Sequence, residues 1–269
     1  MVMLSLIKSG TTASSVIDFP TALTLRRGKY LVRLAETKIE VDAALRLRFA
    51  VFNVELGEGF ARSFANSKDE DLFDRKCEHV LIVERVTNQI VGTCRLRALD
   101  PGKTDAECFS STRFKLATIP ESVLHRSVEF GRACIAKPHR NKDSFKLLWS
   151  FLSRYAEENQ KRYLIGCCSI RSLDPVAGGL LFEWLLQSGH VHSEFRVVPK
   201  PGSKCIFYKS LPFRSVRLLP SPLHSYLKFG AKVCGLPAID REFRTIDFFT
   251  LLDLDGANRN RTQLISCAS

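Results

Sequence analysis

The chain has 269 residues, of which 45% are hydrophobic and 25% are charged. This composition is ordinary for a soluble globular protein, and it leaves enough apolar residues for a core that needs no disulfides. The formal net charge of +12 indicates attraction to nucleic acid, anionic lipid or an acidic protein, with a solvated basic face as the alternative.

Cysteine usage and hydropathy indicate the cytoplasm. The nine cysteines are odd in number and include no CxxC pair, which is typical of reduced, buried thiols. The apolar run Val2–Ile7 is too short for a signal-peptide core, and no segment approaches the roughly 20 apolar residues of a membrane span. His190 and His192 have no accompanying ligand cluster, so we predict no metal site.

Strand and helix patterns alternate from Tyr30 onwards, which predicts a single α/β domain at 29–256. Residues 1–28 lack periodicity and are predicted to be flexible, and 257–269 form a C-terminal tail. The predicted elements, in chain order, are a strand at Tyr30–Ala35, a helix from Thr37 to about Leu56, strands at His79–Arg85, Ile90–Arg97 and Ser127–Ile135, a helix from Asn141 to about Gln160, a strand at Tyr163–Ser169, helices at Asp174–Leu186 and Leu223–Val233, and a strand at Ile246–Leu254.

This order is expected of the N-acetyltransferase-like (GNAT) fold, a mixed central sheet flanked by helices. In that fold a strand leads directly into a helix whose N-terminal N–H groups hold a pyrophosphate or phosphopantetheine arm. The first helix begins at a capping box made by Thr37 and Glu40. Its predicted apolar face comprises Ala43, Leu47, Val51 and Val54.

The strongest local signal is the sequence Glu129-Phe130-Gly131-Arg132 on a strand predicted to be buried. A buried carboxylate and guanidinium are costly unless they are paired or used. Glu129 is a candidate general base, and Arg132 a candidate ligand for an acidic loop or a substrate carboxylate. A structural ion pair is the alternative. Gly131 would permit a bulge that changes which face each side chain occupies.

A second group of charged residues joins the first helix to an acidic loop. Arg48 and Phe52 share a helix face at i, i+4, Asp71 and Asp74 belong to the pattern DxDxFD, and Arg95 lies on the second hairpin strand. We predict a polar cluster that positions an amino-acid-like substrate. Separate surface salt bridges, each worth little, are the alternative.

Two basic regions are candidates for donor binding. Arg140, Asn141 and Lys142 stand in a turn that fits phosphate by charge and position, but the turn lacks the glycines that allow a close backbone approach. Their absence weakens the case for coenzyme A. Residues 195–239 contain eight Lys and Arg and no Asp or Glu. Lys228 and Lys232 in this acid-free stretch are predicted to dock an acidic carrier protein, with an anionic membrane as the alternative.

Several motifs together carry a family resemblance: Arg48–Phe52, Asp69–Asp74, Gly92–Leu96, Glu129–Arg132, and Tyr226–Gly235 followed by Asp247 and Phe248. They resemble the ornithine-lipid-forming N-acyltransferases, a family also described as hemolysin-like and related to acyl-homoserine-lactone synthases. The resemblance covers nearly the whole chain. Phe130 and Ala133 depart from it, because the family usually has Leu and Ser there.

The resemblance implies transfer of a 3-hydroxyacyl chain from acyl carrier protein to the α-amine of ornithine. The donor would be the acyl-phosphopantetheine of the carrier, with no bound cofactor. Glu129 matches the family's proposed base and Arg132 its neighbour. Five residues match the polar core shared with the lactone synthases: Arg48, Phe52, Asp71, Asp74 and Arg95.

Three other functions stay open. The acceptor could be another small amine such as glycine, or the chain could be a signal synthase that acylates and then cyclises its acceptor. The extended basic tail disfavours the signal synthase, because such enzymes are typically shorter. A nucleic-acid-binding module is the third alternative, and the sequence has no helix-turn-helix, zinc-finger or aromatic single-strand motif to support it. We therefore predict no nucleic-acid partner.

Overall fold

One mixed sheet forms the centre of the fold in a computed structural model that describes residues 23–100, 108–205 and 221–256. The predicted C-terminal tail and most of the predicted N-terminal segment lie outside these residues, as do 206–220 of the acid-free stretch. The predicted boundary at residue 28 is wrong, because Thr24–Arg27 already forms a strand that pairs with the next one.

The described residues form short and long strands, most of which belong to the main sheet and run in mixed orientation. The strands are β1 Thr24–Arg27, β2 Tyr30–Leu34, β3 Glu78–Glu84, β4 Gln89–Ala98, β5 Phe114–Lys115, β6 Ser127–Ile135, β7 Tyr163–Ile170, β8 Val198–Pro199, β9 Lys232–Val233, β10 Ala238–Asp240 and β11 Thr245–Asp253. Their order in the main sheet is β1-β2-β3-β4-β6-β7-β11-β10, with β9 paired to β11. β5 and β8 form a separate two-stranded sheet.

Helices cover both faces of the sheet. The α-helices are α1 Lys38–Phe49, α2 Glu121–Leu124, α3 Lys142–Glu158, α4 Pro175–Gln187 and α5 Ser221–Lys228. Val80 and Ile82 of β3 pack in the core with α3, whereas Leu81 and Val83 point to the other face and pack against Ala44 of α1. This alternation is the period of two that a strand buried on both faces requires. In the part of the chain that the structure describes, no helix is both long and apolar enough to cross a membrane.

The first helix follows its predicted cap but not its predicted face. Thr37 and Glu40 form the capping box. Beyond Phe49 the helix continues as a π-helix at Ala50–Glu55, which changes the angular spacing. Val54, predicted on the apolar face, is therefore 65% exposed, and the charged Arg48 is buried instead.

The central strands β6 and β7 run parallel but stay together for only three register pairs, from Ser127 opposite Tyr163 to Glu129 opposite Ile165. Beyond this point β6 pairs only with β4 on its other side. A Cβ on Gly166 would lie 2.3 Å from the carbonyl oxygen of Phe130, so only glycine allows the strands to approach here before they part. Glu129 thus stands where the cleft between the strands opens.

A bulge in β6 follows Glu129. Thr93 of β4 faces Cys134 and Arg95 faces Gly131, so two residues of β6 oppose the single residue between them. The predicted bulge is confirmed, but the left-handed residue is Arg132, with φ of 52°. A non-glycine residue in this region is strained and is held there by its surroundings.

Helix α5 presents its apolar residues to the core rather than to solvent. Leu223 and Leu227 are buried, and Tyr226 packs edge-on against Trp149 with ring centroids 5.2 Å apart. Because these three side chains are packed inside the protein, they do not form an apolar face for the membrane contact that is the alternative to carrier docking.

Candidate active site

Glu129 is held by a short turn that the sequence did not connect to it. The side chain is 6% exposed and accepts hydrogen bonds from the backbone N–H groups of Phe109 and Ser110, at 2.8 and 2.7 Å. The Ser110 hydroxyl donates a third bond to the same carboxylate at 2.6 Å. These three donors fix the position of the carboxylate, and a positioned carboxylate can act as a general base.

Ser110 could not be identified from local pattern, because it lies in a run of hydroxyl residues 19 positions before Glu129. Its contact depends on the 3₁₀ helix at Phe109–Thr112 folding back over β6. The Cys167 thiol on β7 also reaches the Ser110 hydroxyl, at 3.6 Å. Ser110 therefore connects the two strands that border the cleft.

Arg132 lies in an aromatic enclosure next to this turn. Its guanidinium carbon is 4.1 Å from the ring centre of Phe243, 4.7 Å from that of Phe109 and 5.3 Å from that of Phe60. Burial lowers the pKa of Arg132, although Asp69 and Asp71 oppose the shift. Cation–π contacts of this kind compensate part of the lost hydration. Phe52 joins the enclosure through Phe243, at 5.5 Å between ring centres.

The predicted polar cluster exists and is buried. Arg48 donates to Asp69 at 3.0 Å and to Asp74 at 2.6 Å. Arg95 donates to Asp71 at 2.6 Å and to Asp74 at 3.0 Å. The prediction that Asp71 reaches an arginine is thus confirmed. The alternative of separate surface salt bridges is excluded for these residues.

Within the cluster, each charge is balanced by its neighbours. Arg132 approaches Asp69 at 3.4 Å and Asp71 at 3.3 Å, so three arginines face three aspartates. Burial opposes ionisation of Asp74, but Arg48 and Arg95 more than offset it and hold the pKa of Asp74 well below its usual range.

This balance bears on the predicted role of the cluster in substrate binding. Arg48 is 1% exposed, and Asp69 and Asp74 occupy its guanidinium. Arg48 therefore holds the loop at 69–76 in place through these two aspartates, and it supports Arg132 indirectly through Asp69. Direct contact of Arg48, Phe52, Asp71, Asp74 or Arg95 with a substrate stays a prediction.

The predicted phosphate turn uses most of its polar groups internally. Arg140 forms a bidentate pair with Glu55, at 2.6 and 2.8 Å, and also donates to the Ile135 carbonyl. The Asn141 side chain caps α3 by accepting from the N–H groups of Asp143 and Ser144. The geometry does not support a donor phosphate contact by Arg140 or Asn141, and only Lys142 is exposed and free for one.

The two lysines predicted to dock a carrier differ in their exposure to solvent. Lys228 is exposed at the end of α5. Lys232 is half-buried in β9 and donates to the Gly189 carbonyl at 2.7 Å. Arg196, Lys200 and Lys204 in the same acid-free stretch are exposed as well.

Comparison with known proteins gives a consistent match. Residues 47–150 fit the acetyltransferase (GNAT) domain. Three curated relatives are each named L-ornithine N(alpha)-acyltransferase. That of Agrobacterium fabrum is 27% identical over 86% of this chain and 83% of its own. That of Brucella abortus is 28% identical over 86% of both chains, and that of Rhodobacter capsulatus is 27% identical over 87% of this chain and 93% of its own.

The chain is an acyltransferase with the GNAT fold. The predicted resemblance and fold class are thereby confirmed. A solved coenzyme A-dependent acyl-homoserine lactone synthase also aligns with 83% of the acyltransferase and 82% of its own chain, at 13% identity and a TM-score of 0.48. That likeness is too weak to support a conclusion about function.

Proposed function

We propose that this acyltransferase works in the cytoplasm and moves a 3-hydroxy fatty acyl chain from acyl carrier protein to the α-amine of ornithine, the first step of ornithine lipid synthesis. The acceptor rests on similarity to enzymes named L-ornithine N(alpha)-acyltransferase over most of the chain. The position of the Glu129 carboxylate where β6 and β7 part supports the amine chemistry.

In the proposed reaction, Glu129 takes a proton from the α-ammonium of the acceptor, and the free amine attacks the thioester carbonyl. The C–N bond forms, the tetrahedral intermediate collapses, and the C–S bond breaks. The departing phosphopantetheine thiolate takes up the second proton, which the nitrogen loses as the amide forms, and Glu129 releases the first proton to solvent. Beyond Glu129 the edge of β6 towards β7 has no strand partner in the described residues, so its backbone N–H groups can hold the carbonyl oxygen.

The start of α3 supports a carrier protein over coenzyme A. A helix N-terminus binds a pyrophosphate through free backbone N–H groups. Here the Asn141 side chain already accepts from two of them, and Arg140 is bound to Glu55. Donor affinity would then come from protein contacts, for which the acid-free stretch offers a basic surface to a strongly acidic carrier.

The direct test incubates purified protein with 3-hydroxyacyl carrier protein and ornithine, and detects N-acylornithine by mass spectrometry. Acyl-coenzyme A at the same concentration serves as the donor control, and glycine as the acceptor control. A product formed from glycine but not from ornithine would contradict the acceptor. Equal turnover with acyl-coenzyme A would contradict the donor.

Reversing exposed charges in the acid-free stretch should weaken carrier binding. We expect the double variant Arg196→Glu and Lys228→Glu to raise KM for the acyl carrier roughly tenfold while kcat stays within about twofold, because rim charges act mainly on association. Raising salt should weaken the wild type in the same way. Lys232 is left unchanged because it is hydrogen-bonded internally.

The matched control for this experiment is Lys38→Glu, at an exposed lysine of α1 outside the acid-free stretch. It changes net charge without touching the proposed docking surface. An unchanged KM in the double variant, or an equal rise in the control, would show that this surface does not dock the carrier.

A further inference from the structure

A cavity of about 440 Å³ opens between the segment that follows the π-helix and the turn joining β10 to β11. Its lining includes Asn53 of the π-helix, Glu58 and Phe60 of the segment after it, and Arg241, Glu242 and Arg244 of the turn. The Phe60 ring lines this cavity and also contacts the Arg132 guanidinium, whose central carbon lies 5.3 Å from the ring centre. The cavity therefore adjoins the aromatic enclosure of the candidate active site, but the proposed reaction assigns it no role.

Glu58 brings a carboxylate to this cavity without a cation to pair with it. In the described part of the chain no Lys or Arg side chain lies within ion-pair distance of it. Burial raises the pKa of Glu58 to about 7, Arg171 opposes the shift, and Asp247 adds to it. A half-buried carboxylate whose ionisation is disfavoured in the empty protein suits a site that receives a positive charge from a ligand.

Asn53 supplies a second acceptor to the same cavity. Its amide nitrogen donates to the Phe60 carbonyl at 2.9 Å, which fixes the orientation of the amide. Its Oδ1 atom is buried and has no hydrogen-bond partner among the described residues, and the residue is 5% exposed. A buried acceptor left unsatisfied is costly, and an N–H donor on a ligand would satisfy it.

Asp247 is a second carboxylate near Glu58, and burial and the neighbouring Asp240 raise its pKa, so a cation bound nearby would favour its ionised form. It is 2% exposed and accepts from the hydroxyls of Ser169 at 2.7 Å and Thr245 at 3.0 Å, yet no described cation pairs with it. Asp247 is the register partner of Ser169 on β7, and Glu129 that of Ile165 on the same strand. Since side chains alternate along a strand, residues 165 and 169 share a face. Asp247 and Glu129 therefore lie on one face of the sheet.

The other side chains of the cavity distinguish between possible cations. Arg62, Arg241 and Arg244 line it too. They would repel a bare metal ion, whereas they suit the carboxylate of an amino acid. Because the α-amine of the acceptor has to reach Glu129, a ligand that also brings an ammonium group to Glu58 and a carboxylate to an arginine is an amino acid with a second, distal amine.

We infer that Glu58 and the Asn53 amide oxygen, with Asp247 adding negative charge nearby, bind the distal ammonium group of a basic amino-acid acceptor and so select it over neutral amino acids. This assignment rests on the proposed function, because it places the side chain of the acceptor in the cavity beside the site of amine transfer. It explains how an enzyme could distinguish ornithine from an amino acid of the same length without a terminal amine.

The test compares L-ornithine with L-norvaline, which has the same carbon chain but no distal amine, by isothermal titration calorimetry without any acyl donor. We expect Glu58→Gln and Asp247→Asn each to weaken ornithine binding roughly tenfold, as loss of a charged hydrogen-bond or ion partner does, and to change norvaline binding less than about twofold. Glu121→Gln, at an exposed carboxylate of α2 outside the cavity lining, is the matched control and should bind ornithine like the wild type.

Equal binding of ornithine and norvaline by the wild type would overturn the inference. So would an equal loss of both ligands in the two variants, because that result indicates a structural role. If the calorimetric selectivity appears but ornithine and acyl carrier protein give no product, the inference stands and the proposed function fails. The two failures are thus distinguishable.

Stability offers a readout that a structural carboxylate would not give. Folding raises the pKa of Glu58 to about 7, so ionisation of Glu58 destabilises the folded state. This destabilisation grows as the pH rises above the pKa of the unfolded chain, and it is complete once the pH exceeds the folded pKa. We expect Glu58→Gln to raise Tm at pH 8 by roughly 3 °C and to leave Tm unchanged at pH 4. A lower Tm at pH 8 would show that the carboxylate stabilises the fold and would contradict a site kept for a ligand.

Discussion

Glu129→Gln should lower kcat for acyl transfer by roughly 10² to 10⁴, the range for loss of a general base. The acceptor reaches the enzyme as an ammonium ion, which cannot attack a thioester until it loses a proton. Glu129 stands where β6 and β7 part and is held in position by three hydrogen-bond donors. Steady-state rates at saturating carrier and ornithine measure the effect.

The same three donors complicate this substitution, because glutamine would turn an NH₂ group towards a backbone N–H of Phe109 or Ser110. The turn could then move, and activity would fall for a structural reason. Ser110→Ala is the matched control, since it removes the 2.6 Å hydroxyl bond and leaves the carboxylate in place. We expect it to lower kcat less than about tenfold, in line with loss of one hydrogen bond.

Two outcomes would contradict the assignment of Glu129 as the base. One is a Glu129→Gln variant that keeps more than about a third of wild-type activity, a loss far below that of a general base. The other is a Ser110→Ala variant that loses as much activity as Glu129→Gln while both proteins unfold at the wild-type temperature. That pattern would mean that the carboxylate serves to hold the turn at Phe109–Thr112.

Local patterns predicted the elements well where one interaction decides them. The capping box of Thr37 and Glu40 marks the start of α1, and Asn141 caps α3 as predicted. The strand Ser127–Ile135 appears with the predicted bounds. These features depend on hydrogen bonds within a few residues or on alternation of side chains, and both are visible in the sequence.

Errors arose where long-range contacts override the local pattern. The apolar face predicted for the first helix includes Val54 but not Arg48, because Asp69 and Asp74, which compensate the burial of Arg48, come from a distant loop. The phosphate turn looked available because Arg140 and Asn141 carry suitable groups, and the pairing with Glu55, 85 residues away, could not be anticipated. Glu58 gave no signal at all, since its environment comes from distant segments.

Asp74→Asn should cause the largest loss of stability among substitutions in the charged cluster. Asp74 accepts from Arg48 and Arg95 and from the backbone N–H of Asp71. Removing its charge leaves three buried arginines facing two aspartates. Breaking a buried ion pair in this way costs about 3–5 kcal/mol, which urea denaturation of the purified protein would measure. The control is Asp42→Asn on α1, whose exposed carboxylate pairs with Arg46 and Lys68 and should cost no more than about 1 kcal/mol.

A double variant tests whether charge balance, rather than one contact, stabilises the cluster. Arg95→Gln combined with Asp74→Asn restores equal numbers of buried positive and negative groups. If balance matters, the pair should lose less stability than the sum of the two single variants, by an interaction energy of about 0.5–3 kcal/mol. Simple addition of the two losses would mean that the residues act independently, and a cost for Asp74→Asn as small as that of Asp42→Asn would mean that water reaches the cluster. In either case the cluster could not be the rigid support that holds Arg132 in its left-handed conformation beside Glu129.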